Sequence, residues 1–556
     1  MFFNMKTLPL KANAWALSLF FFLLLLSRRG AQLFSPQVWD EDGVSVTPGG
    51  NVGNIPSFLN EGWLSLIDPV NGYLILVPKL ITGISLSLTF YEYPLLSTAI
   101  SFAFIIIIGL AVAFSPTHLS GKYFCAIAIF FIPSDPEVFG LPLYTFWWAS
   151  LLLFLLVLWD ENSEHSALRI IFLLLGGLSS PIIFLALPAF YFRLLLFWRK
   201  RIEWTIAISG TAIAFVQLYY VLSASAGSPP SLDAIALGVI PTFFGGALAF
   251  NFTANKYILW ICGFFLLSLF LTALLNNKRN IFFWLLFYLL LGSVALSIAR
   301  VDPSILHPRF AGPRYFYFPF VLIYWFLIQI VFIKRSIFLG SLSTAVVVLM
   351  ALNSLPAWSR SHDDLKWKAH VESCQLFEHY RLPIQFDGNK SSAWSLDMNG
   401  ALCKSLLTAD IFYRSRTGRD HPSYPFVINT VHPDSLDCSD NAVSLRRSSI
   451  TGADYQKSSI RGCRIIGTFK DADADVGIIE LKLRRGDHVF YRSGPGGLAQ
   501  TVRVVGHENE YLSELPVSTE WASLLFSNST LPAEFTIVIE DRGQSLGEWS
   551  AVAIAN

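Results

Sequence analysis

Apolar runs of about 17–23 residues, long enough to cross about 30 Å of hydrocarbon as helices, recur through the first 356 residues of this 556-residue chain. They constrain its fold more than any other feature, because a soluble domain cannot bury so many. The runs fall near 10–27, 93–114, 123–133, 143–159, 168–180, 182–198, 204–223, 256–275, 281–299, 315–333 and 336–356. These eleven runs, of which the third and fifth are only 11 and 13 residues long and read equally as half-helices, predict a polytopic α-helical membrane body of about eleven spans. Charge follows the same division: the first 356 residues carry 19 Lys/Arg and 14 Asp/Glu, and the last 200 carry 21 and 25. The whole-chain charged fraction of 14% therefore averages an apolar body with a tail of ordinary soluble composition. Net charge is +1, which offers no polyanion-binding face, so nucleic acid is not an expected partner.

Loop charges orient the body. Arg199-Lys200-Arg201, Lys278-Arg279 and Lys334-Arg335 follow the sixth, eighth and tenth runs, so all three lie on one side, and the positive-inside rule makes that side the cytoplasm. The N-terminus is then cytoplasmic and the tail outside. Arg28-Arg29, just past the first run, argues mildly the other way. The first run is read as a retained span, because it leads straight into Ser27-Arg28-Arg29 without a small-x-small cleavage site.

Three segments follow: a membrane domain over 1–356 with a long outer loop at 28–92, a mixed α/β region over 357–459, and a β-sandwich-like domain over 460–556. The mixed region holds an amphipathic stretch at 367–380. Short alternating runs at 464–469, 476–483, 488–492, 501–505 and 535–540, separated by Gly and Asp turns, predict the strands of a sandwich or jelly roll. Four cysteines, Cys374, Cys403, Cys438 and Cys463, lie in this tail. An even number outside the cytoplasm suggests two disulfides; Cys374–Cys403 with Cys438–Cys463 is one of three connectivities. Their spacings match no zinc pattern.

Ten of the body's 14 acidic residues fall in loops assigned to the outside. Trp39-Asp40-Glu41-Asp42-Gly43, in the first outer loop, sets three carboxylates side by side, the residue type a general base requires; a solvated acidic turn is the plainer alternative. Asp135-Pro136-Glu137 adds a second acidic pair after the third run. Between them, 58–79 is too polar and too rich in Pro and Gly to span, and reads as interfacial helices. His307-Pro308-Arg309-Phe310-Ala311-Gly312-Pro313-Arg314 closes the last long outer loop. Arginine there either snorkels to lipid head groups or clamps a phosphate, which suits its bidentate geometry.

This set of motifs resembles the GT-C superfamily, integral membrane glycosyltransferases that use polyprenyl-phosphate sugars. The layout, with its large outer C-terminal domain, is similar to the phage-type serotype-converting glucosyltransferases that modify O-antigen. The resemblance covers residues 1–356 in layout and some 30 residues in motif. It implies a catalytic carboxylate among Asp40, Glu41 and Asp42, and donor-phosphate contacts from Arg309 and Arg314, with Lys79 and His307 as lesser candidates. Metal-using relatives pair the first acid with a D-x-D or D-x-E motif, which Asp135 and Glu137 match apart from the intervening proline. No cofactor is otherwise called for, and a divalent metal ion is left open. The implied protein is a multi-pass hexosyltransferase of the bacterial inner membrane. It would take a polyprenyl-phosphate-linked sugar, glucose or another hexose, and pass it with inversion to a cell-envelope glycan or lipid-linked acceptor at the periplasmic face, amid membrane lipids.

The same conclusion is reachable from chemistry. Nucleotide sugars do not cross bilayers, so sugar transfer outside needs a lipid-carried donor, a base for the acceptor hydroxyl and cations for the leaving phosphate. The alternatives are a transporter or flippase, which places ionisable groups mid-bilayer, and a structural envelope protein presenting a carbohydrate-binding sandwich.

Overall fold

The structure is a computed structural model. It describes residues 10–39, 42–43, 53–163, 165–223, 238–299, 301, 305–333, 336–360, 362, 364–385, 394–416, 427–430, 444–446, 463–467, 477–494, 500–505, 511–515, 521–527, 531–543 and 549–555. The chain divides into two compact units. The first is Met1–Phe34, Ser45–Gly83 and Ser97–Ser361; the second is Ser35–Val44, Ile84–Leu96 and His362–Asn556.

The first unit is helical. Seven described helices are long and apolar enough to cross a membrane: Asn13–Phe34, Tyr93–Phe114, Arg201–Ser223, Lys256–Asn276, Ile281–Ile298, Pro313–Ile333 and Ile337–Ala357. Each coincides with one of the eleven apolar runs. The other four runs form the shorter apolar helices Lys122–Phe131, Thr145–Val157, Ser166–Gly177 and Ile183–Leu196. Hydropathy alone misses a further helix over Ile240–Ala249. Pro241 and two glycines dilute its apolar signal, yet Gly245 is what lets it pack: a Cβ there would lie 2.0 Å from the Leu259 carbonyl oxygen. The stretch read as interfacial overlaps the end of a helix at Asn54–Glu61, holds the short turn Gly62–Ile67 and runs into a helix at Leu76–Leu88.

Two helices form the core of this unit. Every residue of Thr145–Val157 is buried, and 83% of the apolar window of Pro313–Ile333 is buried. A helix apolar on all sides belongs inside. The remaining long helices bury 28–44% of theirs and expose Ile208, Phe215, Leu222, Ile261 and Phe264, the surface expected of helices facing acyl chains. Charge within the bundle is paired: Glu203 accepts from Arg193 Nε and Nη2 at 3.2 and 2.9 Å and lies 2.8 Å from Arg169, all three side chains buried.

Arg28 is a correction to the loop-charge reading. It sits inside the Leu10–Phe34 helix, fully buried, and donates to the carbonyls of Phe130, Ile132, Ser134, Ala357 and Trp358 at 2.6–3.4 Å. Its guanidinium stacks on Phe139 and Trp358. A charge satisfied by carbonyls at a helix end is not a loop charge, so it carries no weight in the positive-inside count. Arg29 is buried as well, at a non-helical kink in that helix.

The second unit gathers pieces distant in sequence. Its mixed region has the helix Trp367–Cys374, the antiparallel pair β1 (His379–Ile384) and β2 (Trp394–Asn399), and the helices Gly400–Ala409 and Ile411–Arg416. Cys374 and Cys403 are disulfide-bonded, as one of the proposed connectivities requires; Cys438 lies outside the described residues, so the second bridge does too. Asp410 fastens this region to 84–96: its carboxylate accepts from the Thr89 hydroxyl and the Phe90, Tyr91, Phe412 and Tyr413 amides at 2.7–3.1 Å. Trp367 packs on Phe90, and Lys368 pairs with Glu92 at 2.5 Å.

Ten further strands form two antiparallel five-stranded sheets. They are β3 (Val427–Thr430), β4 (Ser444–Arg446), β5 (Cys463–Gly467), β6 (Gly477–Arg484), β7 (His488–Ser493), β8 (Gln500–Val505), β9 (Tyr511–Glu514), β10 (Ala522–Leu525), β11 (Glu534–Asp541) and β12 (Ser550–Ala555). The orders are β3-β10-β7-β12-β5 and β4-β6-β11-β8-β9. Alternation along β11 turns Phe535, Ile537 and Ile539 inward, where they join Leu481, Tyr491, Val502, Leu524 and Val552 from both sheets in one apolar cluster. The five strands expected from sequence are all present, and β3 and β4 extend the sheets upstream of residue 460. The class is thus a polytopic helical membrane protein with a β-rich C-terminal domain.

Candidate active site

Two loops of the helical unit are joined around a carboxylate. In the first, Pro136 opens the short turn Pro136–Val138, its fixed φ suited to that position, and Glu137 is buried in it with 8% of its side chain exposed. In the second, His307 and Ala311 exchange backbone hydrogen bonds at 2.9 and 3.1 Å. Gly312 then turns the chain with φ +65, where a Cβ would also strike the Tyr315 ring at 2.8 Å, and leads into the turn Pro313–Phe316. The Asp135 amide donates to the Pro308 carbonyl at 2.7 Å, binding one loop to the other.

Glu137 accepts three hydrogen bonds: from Arg314 Nη1 at 2.5 Å, from the Arg314 amide at 3.1 Å and from the Tyr144 hydroxyl at 3.1 Å. The Arg314 guanidinium lies 5.8 Å from the Tyr144 ring and 5.5 Å from Tyr315, with 32% of its side chain exposed. Asp135 accepts from Arg360 Nη1 at 3.1 Å. Burial raises the Asp135 pKa above the usual carboxylate value, against the pull of Arg360, Arg29 and Arg28 and with a small push from Glu137.

The resemblance offers Asp135 and Glu137 as a doubtful metal pair, set apart by the intervening proline, and Arg314 as a phosphate clamp, acting on different groups. Here acid and base face each other. Both carboxylates are bound to arginines, and Glu137 already takes three donors, so this pair does not fit a divalent ion. Among the described residues, metal-ligand types gather instead at His118, Asp160 and Glu161, with donor atoms within 4.8 Å of one another; His118 Nε2 there lies 2.9 Å from Glu161 Oε2, and its ring stacks on Phe282. No sequence spacing announces that group, because it is assembled from two short loops.

The other candidates behave differently from one another. Arg309 is exposed, its guanidinium 5.1 Å from the ring of the exposed Phe310. His307 packs edge-on against Phe250, and its Nδ1 takes the Arg309 amide at 3.0 Å. Burial, with a smaller contribution from Arg309, lowers its pKa, which favours neutral imidazole. Lys79 is 2% exposed and donates to the Ser65 carbonyl at 2.6 Å and the Ser57 hydroxyl at 3.2 Å, with Asp68 at 3.9 Å; its charge serves the packing of 57–68.

Asp40 and Glu41 lie outside the described residues. Asp42 is described and buried, its amide donating to the Trp39 carbonyl at 3.1 Å. The motif belongs to the second unit: the Gln385 amide donates to the Val38 carbonyl at 2.8 Å, Trp39 pairs in parallel with Gln385, and the Trp39 ring meets His362 edge-on at 5.6 Å. Sequence reasoning missed Tyr144 and Arg360. The one signal for Arg360 was its position as the first charge after the last apolar run.

No family model matches the chain, and no curated protein does. Among solved structures, the arabinosyltransferase EmbB from Mycobacterium smegmatis, determined by single-particle cryo-electron microscopy, aligns at 11% identity with a TM-score of 0.26 over 99% of this chain. The alignment spans 65% of that protein's length. A score at that level does not establish a common fold.

Proposed function

We propose that the protein is an integral membrane glycosyltransferase that takes a hexose from a polyprenyl-phosphate donor and passes it to an envelope glycan at the outer face of the bacterial inner membrane. An acceptor hydroxyl attacks the anomeric carbon, the bond to the phosphate oxygen breaks with inversion, and the lipid phosphate leaves with the electron pair. The resemblance assigns the hydroxyl proton to Asp42 or to its neighbours Asp40 and Glu41. Arg309 and the exposed part of Arg314 stabilise the charge developing on the phosphate. The observation that carries this reading is the joined pair of loops with Arg314 held by Glu137 and aromatic rings on a helical membrane unit. An arginine whose orientation is fixed by a buried carboxylate is preorganised to receive a phosphate.

The test supplies polyprenyl-phosphate hexose and acceptor glycan to outward-facing membranes and measures release of polyprenyl phosphate. Asp40→Asn or Asp42→Asn is expected to lower the rate by about 100-fold or more, the usual weight of a general base. Arg309→Ala is expected to raise the donor KM. Full transfer in all three variants, each expressed at the parental level, refutes the assignment.

A further inference from the structure

The helices Ile183–Leu196 and Ile281–Ile298, with the turn between Asn276 and Ile281, enclose a half-open cavity of about 380 Å³. Its walls are apolar and aromatic: Phe192, Trp284, Leu285 and Tyr288. Its rim carries Lys278 and Arg279, both exposed, neither paired with a carboxylate among the described residues. The Tyr288 hydroxyl donates to the Leu185 carbonyl at 2.9 Å and the Trp284 indole to the Lys278 carbonyl at 3.3 Å, so the two helices and the turn are tied together around the space. The helix bearing Phe192 runs on into exposed Trp198, Arg199, Lys200 and Arg201. Both basic segments lie on the side that the loop charges assign to the cytoplasm.

We propose that this groove is a binding site for an anionic phospholipid of the inner leaflet, its phosphate on Lys278 and Arg279 and the start of an acyl chain against Phe192, Leu285 and Tyr288. Volume is adequate, since ligand sites run from about 300 to 1,000 Å³. Charge complementarity selects the occupant: two cations at a rim above an apolar wall match a negative head group on a hydrocarbon chain, and basic recesses between membrane helices on the cytoplasmic side take such lipids. A soluble anion would gain nothing from the aromatic wall. This site is separate from the loops of the proposed transfer reaction and stands whether or not that reading holds.

Native mass spectrometry of the detergent-purified full chain, titrated with phosphatidylglycerol and with phosphatidylcholine of the same acyl chains, tests it. Phosphatidylglycerol is expected to bind at least 10-fold more tightly. The exposed double variant Lys278→Gln/Arg279→Gln is expected to weaken that binding about 30-fold, at the usual strength of two surface cations. Lys256→Gln, an exposed lysine at the other end of the bundle's loops, is expected to leave it unchanged. Equal binding of the two lipids overturns the proposal using wild-type protein alone. So does displacement by millimolar inorganic phosphate, or undiminished binding in the double variant.

Discussion

Arg28 shows how a cation becomes structural. Five N–H donors in one plane meet the orphan carbonyls where the Lys122–Phe131 helix ends and the last membrane helix leaves the bundle. Lysine carries three donors on a single atom and cannot reach all of them. Arg28→Lys is therefore expected to destabilise the detergent-solubilised protein by about 2–4 kcal/mol, from buried carbonyls left without donors, read as a lowered thermal midpoint. Asp410 is the corresponding anion. Burial alone would raise its pKa, but the hydrogen bonds from Tyr91, Thr89, Tyr413 and Phe412 outweigh that and lower it. A carboxylate with a depressed folded pKa adds stability that is present above its unfolded value of about 3.9 and lost as pH falls through the folded one. Asp410→Ala is expected to flatten the acid limb of the stability curve below about pH 4, and a variant with an unchanged limb would contradict this account.

At the scale of elements, the two joined loops and the disulfide make separable predictions. Glu137→Gln, Arg314→Ala and the double variant form a thermodynamic cycle whose coupling is expected to be about 1–3 kcal/mol, since the two groups share buried hydrogen bonds. A coupling near zero in thermal unfolding would show that the pair contributes only geometry. Cys374–Cys403 spans 29 residues and clips the helix Trp367–Cys374 to Gly400–Ala409. Removing a crosslink over a loop of that length costs about 3–4 kcal/mol of chain entropy. Cys374→Ala/Cys403→Ala is expected to lose protection of β1 and β2 in hydrogen exchange first. Protection of β6 and β11 is expected to persist, because their core lies in another apolar cluster.

At the scale of the whole molecule, the prediction concerns sidedness. In a Cys262→Ala background, Lys482→Cys, at an exposed position of β6, is expected to react with a membrane-impermeant maleimide in spheroplasts, whereas Lys200→Cys reacts only after permeabilisation. The reverse pattern would invert the body and remove the outer loops from the reaction proposed for them. Only part of this organisation was legible in the sequence. Apolar length located eleven helices, and period-two alternation located β5, β6, β7, β8 and β11, because both signals are local to their segment. The Ile240–Ala249 helix was not legible, since its stability comes from a close backbone approach at Gly245. Nor were β3 and β4, four and three residues long, which exist by pairing with β10 and β6.

The candidate site divides in the same way. Sequence alone determined that the chain has an apolar body and a polar tail and that Cys374 and Cys403 suit a bridge, because composition and spacing are properties of the chain itself. Only the tertiary structure decided which charges meet. It turned Glu137 onto Arg314 and Asp135 onto Arg360, buried Lys79 among Ser57, Ser65 and Asp68, and laid Trp39 against Gln385. Their partners lie between 11 and 346 residues away along the chain, and a buried charge takes whichever partner packing brings within reach.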